Sequence, residues 1–185
     1  MGNLAIAYKY ILSDYFRYKG KKDNIIKVIC FIFSNHNYRY SFWYRLASRK
    51  NIFTPIARII RALIASRYGI LISRKTKIGY GLYIGHGFGV IVNSSATIGN
   101  NCNLSQFVTI GANDGKAATI GDNVYIGPSV CLIENVTIGN NVSIGAGAVV
   151  TKDIPDNATA AGVPAKVINY NNPARYINNK WTDFS

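Results

Sequence analysis

Acidic side chains are scarce in this 185-residue chain: eight Asp and Glu face twenty-one Lys and Arg, a formal charge of +13. The shortage is local. Residues 1–75 hold fifteen basic residues against only Asp14 and Asp23, whereas residues 76–185 hold six of each sign. Cysteine is also sparse; Cys30, Cys102 and Cys131 form no spacing motif, and an odd number suits a reducing compartment. The longest apolar run, IIKVICFIF at residues 25–33, is broken by Lys27 and too short to span a bilayer. The amino terminus lacks the apolar stretch and cleavage site of a signal peptide, and Ile6 stands where a myristoylation pattern needs Ser or Thr. These absences lead to the expectation of a cytoplasmic protein. With 49% hydrophobic residues the chain is not disordered, and its length allows one core plus a small appendage.

What is present is a repeat. Branched aliphatics recur every six residues at Ile72, Ile78, Ile84, Val92, Ile98, Leu104, Ile110, Ile120, Ile126, Leu132, Ile138, Ile144 and Val150. Two steps are stretched, from Ile84 to Val92 and from Ile110 to Ile120. Small or β-branched residues follow four places on, as at Cys102, Val108, Val124 and Ala148. A helix would show period 3.6 and an amphipathic strand period 2, so the six-residue period predicts a β-solenoid of about 18 residues per coil. Asn100-Asn101, Asp122-Asn123 and Asn140-Asn141 supply corner residues that tolerate left-handed backbone angles. The reading is mainly β: repeats over residues 72–153, a basic helical region over 1–71 and a tail over 154–185.

The helical region carries fourteen of the twenty-three aromatic residues. TPIARIIRALIASRYG (residues 54–69) is its clearest helix, with Thr54 as N-cap, Pro55 in the first turn and Gly69 beyond the end. Ile56, Ile59, Ile60, Leu63 and Ile64 are expected on the buried face, with Arg58, Arg61 and Ala65 opposite. Residues 36–50 also read as helical, residues 19–24 (KGKKDN) as a loop, and the chain from Pro173 as a helix or ordered tail.

Among the repeats stands one imidazole, His86, between Gly85, Gly87 and Gly89 at the first stretched step, where a coil must bulge. The segment IGHGFGVIVNSSATIG resembles the active-site segment of the serine acetyltransferase branch of the hexapeptide-repeat acyltransferases. The likeness continues through NLSQFVTIGA, the stretched GANDGKAATIG and VSIGAGAVVTKDIPDNATAAGVPAKVI, covering roughly residues 70–168. The resemblance implies a left-handed parallel β-helix, a homotrimer, and acetyl-CoA as co-substrate bound along the seam between neighbouring prisms. It makes His86 the catalytic base; a neutral imidazole suits this because its unperturbed pKa is near 6.5. Gly111, Ala112, Pro128, Gly145, Ala146 and Lys166 become the acetyl-CoA contacts. Gln106 and Lys116 become acceptor contacts, although Gln106 is equally explained by a corner hydrogen bond.

Three departures from the serine-specific pattern are visible. Leu71 falls where a carboxylate orients the base, Gly85 where one holds the amino group of serine, and Lys116-Ala117 where an Arg-His pair grips its carboxylate. They point to a different acceptor, a sugar hydroxyl of a saccharide or lipid-linked saccharide in polysaccharide biosynthesis, with serine O-acetylation in cysteine biosynthesis and a non-catalytic trimeric scaffold as alternatives. The basic, aromatic first part (Tyr38, Tyr40, Phe42, Trp43, Tyr44) is expected to touch an anionic membrane peripherally or to hold a diphosphate-linked glycan, unless its aromatics pack on the prism. No nucleic-acid motif accompanies the charge. A metal is not expected, because the three-His centre of γ-type carbonic anhydrases, which share the prism, cannot be assembled from His36 and His86.

Overall fold

The computed structural model describes residues 2–184. Four helices come first: α1 (Asn3–Lys19), α2 (Ile25–Ser34), α3 (His36–Ala47) and α4 (Thr54–Tyr68). A three-faced parallel β-helix follows. Its first face stacks β1 (Leu71–Ile72), β4 (Ile91–Val92), β7 (Thr109–Gly111), β10 (Cys131–Ile133) and β13 (Val149–Val150). The second stacks β2 (Lys77–Ile78), β5 (Thr97–Ile98), β8 (Thr119–Ile120) and β11 (Thr137–Ile138). The third stacks β3 (Tyr83–Ile84), β6 (Asn103–Leu104), β9 (Tyr125–Ile126), β12 (Ser143–Ile144) and β14 (Thr159–Ala161), then closes with antiparallel β15 (Lys166–Asn169).

The register explains the hexads. Ile72, Val92, Ile110, Leu132 and Val150 stand in one inward column; Ile84, Leu104, Ile126, Ile144 and Ala160 stand in another. All ten are buried. Each large aliphatic among them is stabilised by about 1.5–3 kcal/mol on leaving water. At the corner between the second and third faces, Asn101, Asn123, Asn141 and Asn157 all have positive φ. Their neighbours form a ladder in which the Asn100 amide donates to Asp122, the Asp122 amide to Asn140 and the Asn140 amide to Asp156, each at 2.7–2.8 Å. Gly121 is required there, because a Cβ would lie 2.6 Å from the Asn140 carboxamide oxygen.

The helices are fastened to the first coil by buried charge. Arg45 of α3 donates to both carboxylate oxygens of Asp14 (2.8 and 2.9 Å) and to the carbonyls of Ile78 and Gly79. Asp14 also accepts from the Leu82 amide at 2.8 Å. Arg17 of α1 donates to the Gly81 carbonyl and the Asn103 side chain, both at 2.7 Å.

Two expectations change here. Phe53, not Thr54, caps α4, while the Thr54 hydroxyl closes the preceding turn through the Asn51 amide and the Arg49 carbonyl. The buried stripe of α4 is Ala57, Ile64 and Ala65; Ile56, Ile59 and Leu63 face solvent, because alanines permit close packing on α3. Of the two forms expected for the chain from Pro173, residues 173–184 take the ordered tail, with Trp181 buried and hydrogen-bonded to Asn101. No helix among the described residues is long and apolar enough to cross a membrane.

Candidate active site

The first stretched step forms a bulge at the edge between the third and first faces. After Ile84, the Gly85 amide donates to the Leu104 carbonyl at 2.9 Å, as the Ser105 amide does to Ile126 one coil below. His86 and Gly87 are then extra. The chain rejoins the prism at Phe88, whose carbonyl accepts from the Phe107 amide at 2.8 Å, as the Gln106 carbonyl accepts from Ser129 and that of Pro128 from Gly147. The bulge is closed by the Phe88 amide donating to the His86 carbonyl at 2.7 Å. His86 itself adopts φ 51° and is exposed. An imidazole on a two-residue protrusion, free of the repeat's packing, is placed to meet a second molecule.

The helical region reaches the same place. The Asn37 carboxamide oxygen, at the start of α3, accepts from the Gly87 amide at 2.8 Å. Beside it the His36 ring stacks on Tyr68 with centroids 5.0 Å apart and lies 5.8 Å from Phe88. His36 Nε2 is buried and finds no hydrogen-bond partner among the described residues. Burial, then the nearby charges of Arg39 and His86, holds His36 below its ordinary imidazole value. Sequence reasoning missed both residues, since Asn37 and Gly87 lie fifty positions apart. The one available signal was the rarity of histidine.

The glycines around His86 serve this packing. A Cβ on Gly87 would lie 2.8 Å from both Asn37 Oδ1 and Ile84 Cγ2, and one on Gly89 (φ 62°) would lie 2.6 Å from Phe107. Close approach at Gly87 and Gly89 is therefore made by the chain's own residues.

The remaining candidates fall on two edges flanking the first face. Gln106, Pro128, Gly145 and Ala146 follow the third face's strands on the His86 edge, one coil below another. Gln106 Oε1 is buried without a partner among the described residues. Lys166 lies at the end of this edge, since it pairs with Ala161, whose Cβ would be 3.1 Å from one on Gly145. Gly111 and Ala112 lie instead on the opposite edge, lining a cleft of about 500 Å³ with Arg61, Leu71, Ile91 and Asn113. Lys116 projects from the stretched loop beyond them and is exposed. One chain thus carries two separated groups. Leu71 exposes its aliphatic side chain from β1, and Cys102 is an inert core thiol pushed up to about 12 by burial.

Comparison with known proteins agrees with this geometry. Residues 117–152 match the family described as "Bacterial transferase hexapeptide (six repeats)". The serine acetyltransferase of Bacillus licheniformis is 35% identical over 127 residues, covering 66% of this chain and 58% of its own length. That of Synechococcus elongatus is 35% identical over 117 residues, covering 61% and 48%. Residues 117–152 thus carry the hexapeptide repeats of that family, and the chain is similar to hexapeptide-repeat acyltransferases over 66% of its length. Its β-helix is left-handed, against the general rule for parallel crossovers.

Soybean serine acetyltransferase apoenzyme superposes with a TM-score of 0.73 at 28% identity, covering 88% of this chain and 69% of that one. The Neisseria gonorrhoeae serine acetyltransferase, solved in complex with serine, gives 0.68 at 28% identity over the same shares. The chain spans about half the length of the curated bacterial relatives it matches. These findings overturn the expectation of a saccharide or lipid-linked saccharide acceptor, because the relatives at 35% identity are serine acetyltransferases and a similar solved structure holds serine. The sequence reading inferred the acceptor from the departures at Leu71, Gly85 and Lys116-Ala117 and from the basic, aromatic first region. It could not see that α3 supplies His36 and Asn37 to the same bulge.

Proposed function

We propose that this chain is an acetyl-CoA-dependent serine O-acetyltransferase acting as a homotrimer. The observation that carries the reading is the exposed imidazole of His86 on the inserted bulge, in a chain whose relatives at 35% identity are serine acetyltransferases. His86 takes the proton of the serine hydroxyl as its oxygen attacks the thioester carbonyl. The new C–O bond forms, the C–S bond breaks, and the proton passes to the departing CoA thiolate. General-base help of this kind is worth about 10²–10⁴ in rate.

The two edges of the prism support a ring of copies. In a closed trimer the His86 edge of one copy faces the Gly111 edge of the next, so that Pro128, Gly145, Ala146 and Lys166 meet Gly111 and Ala112 across one acetyl-CoA. Lys166 supplies positive charge to the CoA phosphates. Lys116 and Gln106 complete the acceptor side, Lys116 as a cation for the serine carboxylate.

The test is product identification by mass spectrometry after incubation with acetyl-CoA and L-serine. Serine heavier by one acetyl group supports the reading. Thiol release that is no faster with millimolar serine than without it overturns the reading.

A further inference from the structure

A large apolar surface lies away from His86, on the outer side of the helical region. The helix α2 buries only Val28 and Ile32, and exposes Ile25, Ile26, Ile29 and Phe33. A helix that is apolar on nearly all sides is normally covered. Leading into and along α4, Ile52, Phe53, Ile56, Ile59 and Leu63 are exposed, and Phe53 and Ile56 share a groove with Ile25, Ile29 and Phe33; Phe33 is 78% and Ile52 81% exposed. Between α1, α2 and α4 runs a groove of about 840 Å³ lined by Leu4, Tyr8, Ile29, Trp43 and Ile56. Apolar patches of this extent on a soluble chain mark a binding surface.

The charges around it say what binds. Neither α2 nor α4 contains an acidic residue. Lys50, Arg58 and Arg67 are exposed on α4 and the segment that leads into it, while the exposed Lys21 and Lys27 lie beside Asp23 and Lys22 beside Asp183. The two carboxylates of residues 1–75 are already engaged. Asp14 is buried against Arg45, and Asp23 accepts from Tyr15 and Lys27. A second copy docking through this face would set two segments of strong net positive charge together, with only Asp23 and Asp183 beside their lysines to offset them, which disfavours association. An anionic bilayer offers the complement: phosphates for the cations and an acyl boundary for the aliphatics. This version differs from the aromatic docking expected from sequence, because Tyr38, Tyr40 and Tyr44 are fully buried in the core.

We propose that the α2–α4 face docks on the surface of an anionic lipid bilayer, with Ile26, Phe33, Ile56 and Ile59 entering the interface and the surrounding lysines and arginines pairing with lipid headgroups. The surface is independent of acetyl transfer. The full chain is sedimented with vesicles of phosphatidylcholine and phosphatidylglycerol at three to one, and with pure phosphatidylcholine. Binding to the anionic vesicles that weakens at least about tenfold between ~0.1 M and ~0.5 M salt is expected. Two substitutions at exposed positions, Ile26→Asp and Ile59→Asp, should each weaken it by roughly tenfold or more while thermal melting and acetyl-CoA turnover are kept. Arg58→Gln with Arg67→Gln should weaken it and flatten its salt dependence. Equal binding to neutral and anionic vesicles, or none to either, overturns the proposal. So does light scattering in which Ile26→Asp lowers the oligomeric mass while vesicle binding is unchanged, which would assign the face to a second copy.

Discussion

Asn37 Oδ1 accepts a hydrogen bond from the Gly87 amide at 2.8 Å, so the first turn of α3 clasps the protrusion that carries His86. The contact joins the helical region to the edge of the prism and fixes the backbone on which the imidazole stands. Replacing Asn37 by Ala leaves a buried amide unpaired, which costs about 1–3 kcal/mol. The expected outcome is a several-fold loss of kcat with a smaller change in global stability, measured by steady-state kinetics beside urea unfolding.

Gly87→Ala tests the same clasp from the other side. A Cβ there meets Asn37 Oδ1 and Ile84 Cγ2 at 2.8 Å, so either α3 or the bulge must shift. A destabilisation of about 1–3 kcal/mol is expected from such overpacking. Pairing Gly87→Ala with Asn37→Ala should recover part of the loss, a coupling that a double-mutant cycle reads directly.

How much of this was legible in the sequence depends on distance along the chain. The inward columns through Ile84 and Ile110 and the left-handed corners at Asn101 and Asn141 are local patterns, and the period displays them. The stretched step at His86 announced a bulge for the same reason. The face of α4 was not legible: its branched aliphatics share one face and so marked the wrong side as buried, whereas packing on α3 chose Ala57 and Ala65 for the inside. The clasp by Asn37 and the stacking of His36 on Tyr68 join residues with no shared pattern, so only the fold reveals them.

His36 gives the fold a pH dependence. Burial favours its neutral form and lowers its folded pKa beneath the ordinary value of about 6.5. The unfolded chain therefore binds the proton more readily, and stability is greatest above that ordinary value. It declines as pH falls below about 6.5 and through the folded pKa. Urea midpoints measured between pH 7.5 and pH 5 should drop on acidification, and His36→Phe should flatten that part of the profile.

The Asp14–Arg45 pair should govern attachment of the helices. Arg45 is bidentate on Asp14 and also holds the Ile78 and Gly79 carbonyls, with both side chains nearly inaccessible. Removing one partner leaves an uncompensated buried charge, and breaking such a pair costs about 3–5 kcal/mol. Arg45→Ala should lower stability by this amount in urea titrations. Exposed Lys22→Ala, which loses a surface contact with Asp183, should change it by less than about 1 kcal/mol.

Lys116 and Lys166 are expected to separate the two substrates kinetically. Lys116→Ala should raise KM for serine with little change in that for acetyl-CoA, and Lys166→Ala should do the reverse. Substrate titrations of both variants check the assignment of the two edges.

The central claim is tested most directly by CoA thiol release from acetyl-CoA with L-serine, comparing the unsubstituted chain with His86→Ala at equal folded concentration. The account predicts serine-dependent turnover that falls about 10²–10⁴-fold in the variant, with the unfolding midpoint unchanged. Equal rates in the two proteins would contradict it.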